Sequence, residues 1–371
     1  MNYDLSQEQQ MLKDAAHRFL VKECPSTFVR QMAEEESGHN PELWKKMADL
    51  GWTGLIFPSE YEGSEASFLD LAVLLYEMGY VCLPGPFLAT MEGGLTVLEA
   101  GNDFQKKDYL PKVASGEKLM TLAWTEQEGS YAIATRAEFQ DTHYLLTGTK
   151  LFVPDAHLAD TLICVARTKQ DGAEEIGLFL VDGKALGVKI KVLPTLSGEK
   201  LCEVTFDQVH IPKENRLGRP GQVGAVLDKI FHMAAVAKCA EMCGGAQRVI
   251  ELVMVQAKER VQFGHPIGSF QAVQHHCANI LTFADTSRFM TFQAAWKISQ
   301  GLDFEKEAAM CKAWVSESHR RLVALAHQVM GGMGFMEEHD LQLYFKRAKT
   351  AELAFGDADF HREQVAQKMG L

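Results

Sequence analysis

Residues 201–212 read LCEVTFDQVHIP. Cys202, Val204 and Phe206 alternate with Glu203, Thr205 and Asp207. A period of two puts the apolar set on one face of an extended chain and the polar set on the other, as in a half-buried strand. Pro212 closes the run. The segments upstream share its texture. HYLLTGTKLFV, DTLICVAR, IGLFLVDG and VKIKVLP are short, rich in β-branched and aromatic residues, and bounded by Gly, Pro or Asp. A β domain over 119–215 is therefore expected.

Both flanks read differently. LSQEQQMLKDAAHRFLVKE opens with Ser6 as a helix cap and sets Leu12, Ala15, Ala16 and Phe19 at helical spacing. In NPELWKKMADLGW, Asn40 caps, Pro41 occupies the first turn and Gly51 stops the helix. SFLDLAVLLYEMGY is apolar nearly all round, the mark of a buried helix. These assign 1–118 to an N-terminal helical domain. From 222 to 371 the chain returns to long amphipathic segments with few turns, which suggests an antiparallel four-helix bundle. The first of these segments is interrupted only by Gly244 and Gly245. The fold class is thus mostly α with a middle β-barrel-like domain.

Composition narrows the function. The 371 residues are 47% hydrophobic and 23% charged, enough for a large core and too apolar for disorder. A formal net charge of -12 repels phosphate backbones and argues against general nucleic-acid binding. The N-terminus lacks the basic and apolar regions of a signal peptide, and no apolar run approaches the ~20 residues of a membrane helix. The eight cysteines form no C-x-x-C pair and read as reduced residues of a cytoplasmic protein. Cys239 and Cys243 share a helix face, and His275, His276 and Cys277 are adjacent, but core or surface filling outweighs metal binding, so no metal site is expected.

Two stretches carry candidate chemistry. ERVQFGHPIGSFQAVQHHCA puts Arg260 at the end of a long helix, then a Gly-Pro turn, then a helix starting near Ser269. An arginine at such a turn can clamp a phosphate with its fork of donors, although a helix C-terminus also favours it for its own sake. QVMGGMGFMEEHD is a Gly-rich break between helices, where a backbone can approach a ligand closely. It follows a helix rather than a strand and so is no Rossmann fingerprint.

Taken together and in order, these stretches carry a resemblance. LSQEQQMLKD, GWTGLIFPSEYEG, TEQEGS at 125–130, GTKLFVPDA, VTFDQVHIPKENRLG, ERVQFGHPIGSFQAVQH, QVMGGMGF and FGDADFH resemble the acyl-CoA dehydrogenase family of flavoproteins over essentially the whole chain. EEHDLQLYFKRAK followed by AFGDADFH resembles a branch that includes small subunits of heteromeric dehydrogenases, of the pimeloyl-CoA or steroid side-chain type. The resemblance implies FAD as cofactor and an acyl-CoA substrate oxidised to a trans-2-enoyl-CoA. A base takes the α-proton, the β-hydrogen leaves as hydride to the flavin, and electrons pass to an electron-transferring flavoprotein. It implies a dimer of dimers, homomeric or with a paralogous subunit.

It also implies roles for residues. Arg260, Gln262 and Phe263 would touch the FAD diphosphate and adenine side on a neighbouring subunit's cofactor. Gln328, Gly331 and Gly332 would line the same FAD from across the dimer interface. Thr125 and Ser130 match a flavin-side loop that is one residue shorter here, and Phe152 stands where the family often has a stacking Trp. Pro154 replaces a Thr whose hydroxyl meets the flavin. The catalytic base is the chief departure. Phe355 falls on the usual glutamate, and the alternative seat on the long helix holds Ala234. Glu241, Asp357 and Asp359 are nearby acids. Glu241 lies seven residues from Ala234, about 10 Å along the helix, and pairing to Lys238 or Arg248 suits it better. Asp357 and Asp359 suit a helix cap. The catalytic residue is therefore unassigned. A non-catalytic partner subunit and a homotetramer with an unusual base stand as alternatives.

Overall fold

A computed structural model describes residues 4–127, 133–170 and 173–371. Helices α1 (Gln7–Glu23), α2 (Ser26–Glu34), α3 (Pro41–Asp49), α4 (Phe68–Tyr80), α5 (Phe87–Ala100) and α6 (Asp103–Ala114) come first. Strands β1 (Met120–Ala123), β2 (Arg136–Gln140), β3 (His143–Pro154), β4 (Thr161–Gln170), β5 (Ala173–Asp182), β6 (Val188–Leu193), β7 (Leu201–Pro212) and β8 (Arg216–Leu217) follow. Then come α7 (Val223–Glu259), a ribbon of β9 (Val261–Gln262) and β10 (His265–Pro266), α8 (Gln271–Ser299), α9 (Glu305–Met330), α10 (Leu341–Leu353) and α11 (Ala358–Lys368). The order is helices, strands, helices, as the sequence implies.

The described residues gather into two compact units. One holds residues up to 31, 67–83 and 231–371; the other holds 32–66 and 84–230. In the second, the strands form a sheet ordered β6-β7-β3-β2-β4-β5-β8, with β1 parallel beside β4. Its core is built from the inward faces, with Leu146, Cys164, Phe179, Cys202, Val204 and Phe206 almost wholly buried. Burying a side chain of this size is worth about 1.5–3 kcal/mol. The β7 alternation holds only to Phe206. Leu146 pairs with Val209 and Gly148 with Phe206, so β7 carries an extra residue between them, and Gln208 takes a left-handed φ of 51°. The bulge moves the buried set from even to odd positions, to Val209 and Ile211. Periodicity alone cannot see such a step.

In the first unit, the expected start signals are present. Ser6 and Gln9 form a capping box on α1, and Ser67 and Asp70 form another on α4. In the second unit, Asn40 accepts from the Leu43 N–H at 2.8 Å and Pro41 opens α3. Gly244 and Gly245 do not interrupt α7, which runs unbroken for 37 residues. A Cβ on Gly244 would stand 1.7 Å from the Tyr76 carbonyl oxygen, and one on Gly79 would stand 1.9 Å from that of Glu241. These glycines let α4 and α7 cross with their backbones nearly touching. α8 begins at Gln271 rather than near Ser269, whose hydroxyl donates to the Pro266 carbonyl instead of capping the helix. No helix among the described residues is long and apolar enough to cross a membrane.

Candidate functional site

Three phenylalanines adopt a positive φ: Phe152 at 56°, Phe263 at 55° and Phe355 at 55°. A bulky side chain in the left-handed region is strained by about 1–3 kcal/mol and marks places where surrounding structure dictates the backbone. Each of the three lies in a stretch that carried the resemblance.

Phe152 owes its geometry to a second bulge. Lys150 pairs with Val204 and Val153 with Cys202, so β3 spends an extra residue there. The bulge turns Phe152 outward, leaving it 56% exposed within a core strand. Beneath it Lys150 is fully buried. Its Nζ lies 2.6 Å from Glu126 Oε1 and donates to the Trp124 carbonyl at 3.1 Å. Glu126 also accepts from the Ala134 and Thr135 amides at 2.7 and 3.1 Å. Burial pushes the Glu126 carboxyl up, but Lys150 and those donors outweigh it and hold it below the usual range. The Thr125 carbonyl accepts from the Leu151 amide at 2.8 Å, so this pair fixes the strand edge that carries Thr125. Pro154 keeps a partner through its carbonyl, which accepts from the Thr121 hydroxyl at 2.7 Å. Ser130 lies outside the described residues.

Arg260 sits just past the end of α7, exposed. The chain then forms a two-strand ribbon, not a plain Gly-Pro turn. Gln262 pairs with His265, and Phe263 and Gly264, both at positive φ, make its tip. Phe263 is 89% exposed. Gln328 is exposed on the last turn of α9, which ends at Gly331 with φ 63°. Cβ atoms built on Gly331 and Gly332 would meet nothing within 4 Å, so the backbone there is open to close approach.

Phe355 lies in the turn between α10 and α11. Its ring stands edge-on to Phe231, centroids 6.3 Å apart, and the His361 ring stacks on Phe231 at 6.0 Å. Phe231 lies on α7 one helical turn before buried Ala234. His361 Nε2 bonds the Phe355 carbonyl at 2.7 Å, so Nε2 carries the proton. Lys312 is fully buried and donates to the carbonyls of Glu352 and Gly356 and to the Ser316 hydroxyl, at 2.8–2.9 Å. Burial lowers the Lys312 pKa to about 8 and that of His361 to about 4. Gly356, at φ 83°, is pressed against α11: a Cβ there would meet Phe360 at 2.5 Å.

The candidate acids are otherwise engaged. Asp357 caps α11, accepting from the Phe360 amide at 2.9 Å. Asp359 pairs with Arg362 at 2.7 Å, and Glu241 pairs with Lys238 at 2.5 Å. The cysteines are free thiols. Cys243 and Cys311 flank the Thr291 hydroxyl at 3.4 and 3.3 Å in the helical core, where burial pushes the Cys243 thiol up to about 12. No group of three metal-ligating side chains occurs among the described residues.

Lys150, Glu126, Lys312 and His361 were not singled out by the sequence reading. Lys312 left a signal: it falls on the same helical face as Ala308, Val315 and His319, an apolar stripe where lysine is out of place.

Comparison with known proteins assigns the family. Sequence models of the acyl-CoA dehydrogenase N-terminal, middle and C-terminal domains match residues 6–117, 121–209 and 224–370. The probable acyl-CoA dehydrogenase YngJ of Bacillus subtilis is 30% identical, covering all of both chains. Among solved structures, PigA with FAD and proline superposes with a TM-score of 0.92 at 28% identity, covering all of both chains. A Tcur3481-Tcur3483 steroid ACAD variant gives 0.89 at 28%, covering 98% of each. The chain belongs to the acyl-CoA dehydrogenase family.

Proposed function

We propose that this chain is an FAD-dependent acyl-CoA dehydrogenase subunit that oxidises an acyl-CoA to a trans-2-enoyl-CoA only beside a paralogous partner that supplies the base. The observation that carries the reading is the turn at Phe355. Both positions where the family places its base hold apolar residues, Phe355 and Ala234, and each nearby acid is occupied as a cap or in an ion pair. General base catalysis is worth about 10²–10⁴-fold.

The residues present suit FAD. Arg260 offers an exposed guanidinium for a diphosphate, Gly331 and Gly332 offer open backbone, and Phe152 offers an exposed ring face held on a rigid strand. Arg260, Gln262 and Phe263 would reach a neighbouring subunit's cofactor, joined by Gln328, Gly331 and Gly332. Thr125, Ser130 and Phe152 would meet the flavin. When bound, FAD supplies the hydride acceptor. The chain's own part is to bind and orient: the Phe355 N–H meets the thioester oxygen, where charge grows as the α-proton leaves. Electrons would pass to an electron-transferring flavoprotein. The similarity to the Tcur3481-Tcur3483 steroid ACAD supports searching for a second chain.

The test is anaerobic flavin absorbance with a panel of acyl-CoAs. The chain alone should stay yellow, and addition of a paralogue carrying the glutamate should bleach it. Rapid bleaching of the isolated protein, abolished by Glu241→Gln or Asp357→Asn, would overturn the reading.

A further inference from the structure

The 352–356 turn is held by more donors than a connection between two helices needs. The chain runs from the end of α10 through an extended Ala354, then through two consecutive left-handed residues, Phe355 and Gly356. Its carbonyls are gripped in sequence. Lys312 donates to Glu352 O at one end and Gly356 O at the other, and His361 donates to Phe355 O between them. Both donors are fully buried side chains, and they come from different helices, α9 and α11. The N–H of Phe355 finds no acceptor among the described residues. Clamped carbonyls on both sides of a donor with no acceptor fix the place of that donor in the turn.

We propose that Lys312 and His361 are positioning residues that lock this turn, so that the Phe355 N–H is aimed at the oxygen of an acyl-CoA thioester. The inference rests on the proposed function, because it takes the thioester from that reading. Lys312 suits the task because an ammonium has three donors, and the third is spent on Ser316 of its own helix. That bond fixes the side chain but does not touch the turn. His361 suits it because the carbonyl fixes its tautomer and its ring is packed between Phe231 and Phe360. Removing either donor leaves the left-handed pair free to relax, and the N–H turns away. Phenylalanine at 355 keeps that N–H while giving up the acid, so the chain retains the oxygen-binding half of the site.

The test compares ligands that differ only in the acceptor. The full-length protein with its bound FAD is titrated calorimetrically with butyryl-, octanoyl- and palmitoyl-CoA, and with the matching S-alkyl-CoA thioethers, which lack the carbonyl. The native protein should favour the thioester by about tenfold, as one well-placed hydrogen bond allows. Lys312→Met and His361→Leu should bring that ratio close to one while still binding the thioethers. His361→Gln, which restores a donor, should keep it. A merely structural role would weaken both ligands alike and leave the ratio intact. That result in both Lys312→Met and His361→Leu overturns the proposal. Should Lys312→Met fail to fold, the His361 pair decides alone. Absence of binding, or of any thioester preference, in the native protein overturns the underlying reading instead, and the proposal with it.

Discussion

The turn at Phe355 and the strand edge at Phe152 solve one problem in two ways. Each holds a phenylalanine in a left-handed conformation beside a fully buried lysine. At the strand edge, Lys150 faces a carboxylate, Glu126, which two backbone amides also hold. At the turn, Lys312 contacts only neutral acceptors, two carbonyls and a hydroxyl. A buried charge with an opposite partner is costly to break, because either half left alone is uncompensated. A buried ammonium that donates only to dipoles is easier to discharge, and burial outweighs the pull of the nearby Glu352 carboxylate and brings the Lys312 pKa down to about 8. The strand edge is therefore a fixed platform, whereas the turn is a clamp whose strength follows its donors.

The largest effect should come from filling the empty seat. Phe355→Glu returns a carboxylate to the left-handed position that the clamp already shapes. The isolated chain should then show acyl-CoA-dependent flavin bleaching about 10²–10⁴-fold faster than the parent, read by anaerobic stopped-flow absorbance. No gain, in a variant that retains FAD and binds acyl-CoA, would mean the seat lies elsewhere.

Next in size is the platform. Lys150→Met leaves Glu126 buried with only amide partners and should cost about 3–5 kcal/mol in urea unfolding, with the flavin lost early in the transition. A cost under about 1 kcal/mol would remove the contrast between the two lysines.

The fold was more legible than the site, for a physical reason. Strand alternation from Cys202 to Phe206, the caps at Ser6 and Asn40 and the nearly all-apolar helix at 68–80 are local patterns, and the structure follows them. The bulges at Gln208 and Phe152 were invisible, because one extra residue reverses the facing of a strand without changing its composition. Gly244 read as a break because its neighbour across the crossing, Tyr76, is 168 residues away in sequence. The buried lysines were missed for the same reason: what satisfies Lys312 comes from 352 and 356, on another segment. Motif order pointed to where a site is expected, and only packing revealed what holds those stretches.

Acid should loosen the clamp before it touches the platform. His361 and His319 are buried and neutral, with pKa values brought down by burial from 6.5 to about 4. The unfolded chain binds these protons first, so the stability they contribute is complete above pH 6.5 and is lost as pH falls toward 4. Between pH 7 and pH 5 the native protein should lose on the order of 2 kcal/mol relative to His361→Gln, which does not titrate. Parallel denaturation curves at both pH values check this, and an unchanged gap would argue that His361 is already open to water.

Comparable in size is the effect of the exposed arginine. Arg260→Ala should weaken FAD retention by about 1.5–3 kcal/mol, because it removes the charge-assisted hydrogen bond proposed to the diphosphate and leaves the fold undisturbed. Equilibrium dialysis of flavin would show roughly a 10- to 100-fold weaker affinity. Unchanged affinity, with and without the partner chain, would take Arg260 out of the cofactor site.

The smallest expected effect tests whether the base is truly absent. Asp357 accepts from the Phe360 amide and sits first in line on α11. As a cap it is replaceable, since asparagine caps about as well as aspartate. Asp357→Asn should therefore shift stability by less than about 0.5 kcal/mol. Asp357→Ala should cost about 1 kcal/mol, and neither should change turnover of the reconstituted complex. A carboxylate acting as base obeys the opposite rule, because asparagine keeps the hydrogen bond but cannot take a proton, and turnover would fall 10²-fold or more. Glu241→Gln serves as the parallel case: its carboxylate is paired with Lys238, so it too should spare turnover at a small cost in stability. The pattern across Asn, Ala and Gln separates cap, ion pair and base in one series. A collapse of turnover in Asp357→Asn alone, with stability intact, would move the base into this chain and make the partner's carboxylate unnecessary.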